Sequence, residues 1–298
     1  MSYFLYLVLF ILGLAVGSFI NVISLRYQPG QRLLDKKIIG GRSRCPICHK
    51  NLVWYELIPV LNFFWQKGKC RHCGHQLSFQ YPLVEILSGL IFVSIPWYLI
   101  NFYQVIQLIL RGEQVIWYYW LTLIWVLIFL LFLLLSIIDL RHSIIPNSIN
   151  SSLAILGLIL IIFNGYYDKF DALSGSFLRY YAAIFGLREN IWLNHLFAAL
   201  LGMAIFGLII FLSRGGAMGL GDLKLVGALG LIFGWPDILM VLLLAFIIGA
   251  LVSIFFMIAK KKKMKDMIPF GPFLVIGASL TFFFGYQIIN GYFRLFGL

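Results

Sequence analysis

The chain is 298 residues long, 62% hydrophobic and only 11% charged, with a mean hydropathy of +0.96. A soluble domain carries about a quarter of its residues as charges, so the composition excludes a soluble globular protein and describes one built within a bilayer. The formal net charge of +12 is then a matter of membrane orientation and anionic lipid, and nucleic acid is not an expected partner.

A helix needs about 20 apolar residues to cross the hydrocarbon core, and the gaps between charges locate such helices. Residues 1–25 are the first uncharged run. The run is longer than a signal-peptide core, and it lacks both a basic n-region and a small-x-small cleavage site. It is therefore expected to be a retained first span.

Residues 26–80 form the one sizeable extramembrane segment and hold all four cysteines, in "CPIC" (Cys45, Cys48) and "CRHC" (Cys70, Cys73). Two close-spaced pairs in a reducing compartment favour tetrahedral Zn²⁺ over disulfides. The spacing lets two thiolates reach one ion from one tight turn, and Pro46 and Gly74 suit such turns. His49, His72 and His75 could each replace a cysteine, but four cysteines complete the set without them; free thiols are the bland alternative. A segment this charged buries little core, so a closed, structural zinc site would supply its folding energy.

Further uncharged runs occupy 86–110, 114–138, 143–167, 190–213, 225–236, 238–259 and 267–293. The twelve residues of 225–236 make only about 18 Å of helix. That helix is expected to start before Asp222, near Ala217, which sets Asp222 in its first turns. The expected fold is an all-α polytopic membrane protein of about eight transmembrane helices. A first span (1–25), a small four-cysteine zinc-ribbon-like domain (26–80) and a seven-span domain (81–298) divide the chain.

Loops rich in Lys and Arg stay cytoplasmic. With the N-terminus outside, segments 26–80, 140–143, 214–224 and 260–266 face inward and hold 18 of the 23 basic residues. Arg111, Lys169, Arg179, Arg188 and Arg294 remain outside, balanced by Glu113, Asp168, Asp171, Glu189 and Asp237. Omitting the short span would place the lysine run at 260–265 outside.

Only Glu85, Asp139 and Asp222, of eleven acids, lie at or within a span on the inner side. Each could be a structural partner: Asp222 for Lys224 or a helix start, Asp139 for Arg141, Glu85 for an inner-side base. An ionisable group in a membrane segment is nonetheless a functional candidate by default, and the topology brings Asp139 and Asp222 to the same depth. Two carboxylates converging in a partly dehydrated site cannot both ionise easily, so one holds a proton and the other acts as a base. That suits aspartic hydrolysis, in which the base takes a proton from water and the acid polarises the scissile carbonyl. Gly219 and Gly221 leave room for an extended backbone beside Asp222, and Pro146 favours a helix break shortly after Asp139.

The motifs "GSFINVISLR" (17–26), "CPIC", "CRHC", "YPLVEILSG" (81–89), "DLRHSIIPN" (139–147), "GLGDLKL" (219–225) and "IPFGPFLVIGA" (268–278) resemble, in order, those of prepilin peptidases. These type IV leader peptidases are G-x-G-D intramembrane aspartic proteases. The resemblance runs nearly end to end. It implies cleavage of the short basic leader of type IV pilin-like precursors on the cytoplasmic side of a bacterial inner membrane, typically after a glycine. It also implies methylation of the new N-terminus with S-adenosylmethionine, with 26–80 as the associated region. Asp139 and Asp222 match the catalytic pair, and Cys45, Cys48, Cys70 and Cys73 the metal cysteines.

Residues give less sign of the methyl transfer, since no Gly-rich loop after a strand is present. A cofactor site would have to be built from the inner loop and the membrane helices, with Glu85 as candidate and Arg26 and Asn21 behind it. A transporter also uses intramembrane aspartates, but no internal repeat is visible and the acids lie at one surface. A membrane scaffold with a zinc docking module would leave the paired aspartates unexplained.

Overall fold

A computed structural model describes residues 3–31, 33, 35–45, 47–111, 115–167, 176–185, 190–216, 218–259, 268–295 and 297. The lysine run 260–265, Pro46, Ala217, Glu113, Asp168, Lys169, Asp171, Arg188 and Glu189 lie outside the described residues. Among those described there are helices and turns but no strand, only two isolated antiparallel bridges, Arg44 with Asn51 and Lys69 with Gln76.

Among the described residues seven helices are long and apolar enough to cross a membrane: α1 (Tyr3–Arg26), α4 (Gln80–Phe102), α6 (Ile116–His142), α7 (Asn147–Tyr167), α8 (Ile191–Leu212), α10 (Asp237–Ile258) and α11 (Gly271–Leu295). Four shorter helices complete the order: α2 (Lys36–Ile39), α3 (Leu61–Trp65), α5 (Val105–Leu110) and α9 (Leu220–Phe233). The run 86–110 is not one span. Gln104 adopts a left-handed conformation, φ 49° and ψ 39°, which ends α4 and starts α5 as a separate turn.

The chain divides into two compact units, residues 1–137 and 138–298, with the boundary inside α6. In the first unit α1 packs along α4. Gly17 makes that approach possible, because a methyl group there would collide with the Glu85 backbone and the Ser88 side chain; small residues at a crossing let membrane helices close on each other. The Tyr118 hydroxyl in α6 donates to the Pro96 carbonyl of α4 at 2.8 Å.

In the second unit α9 is the centre. Its 14 residues make about 21 Å of helix, shorter than the other seven, and the eighth expected span is this element. Every residue from Leu225 to Phe233 except Leu231 is buried, as befits a helix apolar all round, and α7 and α8 are its main neighbours. The turn after α9 is closed by Asn194 of α8, whose side chain accepts from the Trp235 N–H at 2.9 Å and donates to the Trp235 carbonyl at 2.8 Å. Gly234 stands there at φ 72°, a conformation that favours glycine.

Asp237, which the charge pattern assigns to an outer loop, is fully buried at the start of α10. Its carboxylate accepts from the Ser176 hydroxyl and, at 2.9 Å, from the Phe177 N–H. It thus ties the segment before the 3₁₀ turn Arg179–Phe185 to α10.

Candidate functional site

Asp139 lies in the last turn of α6. The helix continues to His142, Ser143 turns left-handed at φ 53°, and α7 begins at Asn147, directly after Pro146. The break expected near Pro146 is present but opens at Ser143, three residues earlier than the proline; Pro146 itself restricts Ile145 and directly precedes α7. Asp139 is 3% exposed, and its carboxylate accepts from the backbone N–H of Gly271 at 3.0 Å. Gly271 is the first residue of α11, so the positive end of that helix faces the carboxylate.

Asp222 sits in the first turn of α9, half-buried, and accepts from the N–H of Gly219 at 3.2 Å. A helix N-terminus has unsatisfied N–H groups, and a carboxylate three residues in can close one of them. The two aspartates belong to the same unit.

Two asparagines of α7 hold the start of α9. The Asn150 side-chain N–H donates to the Gly221 carbonyl at 3.1 Å, and Lys224 Nζ donates to Asn147 Oδ1 at 2.9 Å. Asn150 is buried, and its Oδ1 has no hydrogen-bond partner. Lys224 thus reaches α7, a partner other than the Asp222 that the sequence offered. Gly221 also packs against Ile145, its absent side chain leaving just enough room. The end of α6 and the starts of α7, α9 and α11 therefore carry or position two carboxylates, each held by a backbone donor. Such a pair can move a proton to and from a peptide and a water.

The four cysteines form the second cluster. Their sulfurs all lie within 4.8 Å of one another, and Cys45 Sγ and Cys73 Sγ are 3.8 Å apart. Zn–S bonds of about 2.3 Å at tetrahedral angles put sulfurs about 3.8 Å apart, so the donor set and its spacing fit a zinc ion. The two knuckles repeat one design. The Cys45 N–H bonds the Lys50 carbonyl, the His49 N–H bonds that of Cys45, and the Leu52 N–H bonds that of Ser43. In the second knuckle Cys70 bonds His75, Gly74 bonds Cys70, and Leu77 bonds Gly68 in the same sense.

His49 at φ 56° stands where the second knuckle has Gly74 at φ 67°; both occupy the left-handed position of the turn. Burial works against a Cys45 thiolate, but N–H groups of Cys48 and Ile47 and the thiols of Cys48 and Cys70 outweigh it, bringing its pKa down to about 7. At Cys73 the His75 N–H pulls the other way, yet desolvation and the three neighbouring thiols push it up to about 11. Four thiols this close compete for protons, and a cation among them would remove the competition.

Glu85, Asn21 and Arg26 lie in the first unit. Glu85, in the second turn of α4, is 6% exposed and accepts from the Val60 N–H at 2.7 Å. Val60 stands at φ 62°, ψ −57°, and the Leu61 N–H reaches back to Pro59 O at 2.6 Å. This is a γ-turn of the rarer, strained form, held in place by the carboxylate. Asn21 donates to the Tyr81 carbonyl at 3.1 Å, while its Oδ1 and the Ser88 hydroxyl are buried with no hydrogen-bond partner. Arg26 donates to the carbonyls of Ile38, Gly40 and Arg42, and so organises the stretch of chain leading to Cys45.

The sequence reading missed Asn150, which resembles any polar residue opening a helix. It also missed the N–H of Gly271, because a backbone donor has no side-chain signature.

Residues 11–99 match the bacterial peptidase A24 N-terminal domain, and residues 125–254 match the type IV leader peptidase family. A Legionella pneumophila protein named prepilin leader peptidase/N-methyltransferase is 30% identical over 97% of this chain and 95% of its own. Proteins of the same name from Bacillus subtilis and Xanthomonas campestris pv. campestris are each 29% identical. The first covers 97% of this chain and 98% of its own, the second 96% and 94%. No solved structure matches the chain.

Proposed function

The chain belongs to the type IV leader peptidase family, and on that premise we propose that Asp139 and Asp222 are the catalytic pair that cleaves the basic leader from pilin-like precursors. The chain is a multi-pass bacterial membrane enzyme. The observation that carries the proposal is a pair of carboxylates in one unit, each at a helix end and each accepting from a backbone N–H, Asp139 from Gly271 and Asp222 from Gly219.

The pair shares one proton. The ionised member takes a proton from a water lying between them as that water attacks the scissile carbonyl, and the protonated member donates to the carbonyl oxygen. Collapse of the tetrahedral adduct returns a proton to the departing amine. Gly271 and Gly219 hold the carboxylates by their N–H groups, so little reorganisation is needed as charge moves. Both aspartates, the cysteine segment and the basic loops face the cytoplasm in this reading, as the distribution of lysine and arginine requires.

Relatives named as N-methyltransferases support a second activity on the new N-terminal amine. S-adenosylmethionine would supply an electrophilic methyl group. Its binding calls for polar groups in an otherwise apolar helix pair, and Glu85 with the unpartnered Oδ1 of Asn21 offers them. Arg26 would contribute by fixing residues 38–42. Zn²⁺ held by Cys45, Cys48, Cys70 and Cys73 would fold the 26–80 segment and take no part in the cut.

The test is a mass spectrum of a pilin-like precursor after incubation with the purified chain, with and without S-adenosylmethionine. Loss of the leader in both samples and an added methyl group only in the second is the expected result. An intact precursor in the presence of well-folded, zinc-replete protein would refute the peptidase assignment.

A further inference from the structure

Between the two cysteine knuckles, residues 53–65 are built inside out. Their polar side chains point inward: Glu56 and Asn62 are buried, Glu56 accepts from the Val53 N–H at 3.0 Å, and Asn62 donates to the Glu56 carbonyl and accepts from Gln66 at 2.7 Å. Their large apolar side chains point outward, with Trp54 78% exposed, Trp65 73%, Phe64 62% and Leu61 59%. A water-facing segment shows the reverse, and an exposed patch of this kind marks contact with an apolar partner.

The position of the patch identifies that partner. The Val60 N–H is bonded to Glu85, about 7 Å along α4 from the residue at which that span begins. The segment is thereby held at the level where α4 enters the bilayer. Phe79, at the start of α4 and 63% exposed, meets Phe63 edge to face at 6.1 Å. Phe79 is also the first residue of an exposed stripe, Phe79, Leu83, Leu87 and Leu90, whose helical spacing makes it the lipid-facing side of α4. The aromatic patch thus continues the exposed apolar face of a helix long and apolar enough to span a bilayer. Beside it, Lys67 and Lys69 border a shallow depression floored by Phe63, Phe64 and Leu77, and both lysines are exposed.

We propose that residues 53–65, with Phe79, lie in the headgroup layer of the bilayer as an interfacial collar of α4, and that Lys67 and Lys69 engage the phosphates of anionic lipids there. Trp and Phe favour that layer, and lysine beside them is attracted to its negative surface. The collar depends on α4 being a span and not on the peptidase reading.

A photoreactive benzoylphenylalanine is placed at Phe64, Trp65 or, as control, Lys50, in the full chain in nanodiscs containing phosphatidylglycerol, with and without a pilin-like precursor. Irradiation should give lipid adducts at Phe64 and Trp65 several-fold above those at Lys50, falling when phosphatidylcholine replaces phosphatidylglycerol. Adducts to the precursor in place of lipid, or equal lipid adducts at all three positions, would overturn the collar. Since a probe can disturb folding, the unmodified chain and a W54F/W65F variant are also compared in lipid brominated near the glycerol. The unmodified chain should show additional quenching, and equal quenching would contradict the proposal. Precursor cleavage in the same nanodiscs reports the peptidase reading separately.

Discussion

A carboxylate in an apolar helix is conspicuous, and Asp139 and Asp222 could be picked out from sequence because, although each has a basic neighbour that could pair with it, the topology brings both to the same depth. The groups that position them could not, since one is the backbone N–H of Gly271 on Asp139 and another the amide of Asn150 on the Gly221 carbonyl. Asn150 bonds the carbonyl of the residue before Asp222, so its loss should tilt the start of α9 without removing a reacting group. For Asn150→Ala we expect cleavage to fall about tenfold, equivalent to ~1.4 kcal/mol, mostly in kcat. Steady-state kinetics on a precursor peptide check this, and an unchanged kcat would show that α9 holds Asp222 unaided.

Among the elements, those of regular period were legible and the irregular ones were not. The span boundaries follow from charge gaps, but α9 fails a length criterion because protein, not lipid, surrounds it on nearly every side. The fracture of 86–110 into α4 and α5 rests on one left-handed residue, Gln104, which carries no glycine to announce it. The cysteine spacing gave away the knuckles, whereas their shared turn design appears only in the hydrogen bonds.

Cys70→Ser should leave the purified protein with well under the expected ~1 Zn²⁺ per chain and lower its yield, as metal analysis would show; full metal content would count against a four-thiolate site. Asp237 reads as a loop acid in the sequence because its partners, Ser176 and Phe177, lie about sixty positions away in the chain. Asp237→Ala leaves two buried donors unanswered, at a cost of about 1–3 kcal/mol. A lower melting temperature with cleavage retained is the expected result.

For the whole molecule, the bilayer decides which way the chain runs, and the count of basic residues carries that choice. A single cysteine introduced at Lys262 should be shielded from an impermeant reagent in intact cells, while one at Asp171 should react; efficient labelling at Lys262 would reverse the orientation. In the proposed orientation the two aspartates lie on the side from which a basic leader would approach. If, as proposed, the two share a proton and act as a unit, losing either should abolish cleavage. The most direct test is therefore the cleavage rate of Asp139→Asn and Asp222→Asn enzymes, each shown by its melting curve to be folded. Both should fall by at least ~10³ relative to the parent, and a folded variant of either kind that cuts at more than about a tenth of the parental rate would contradict the two-aspartate mechanism.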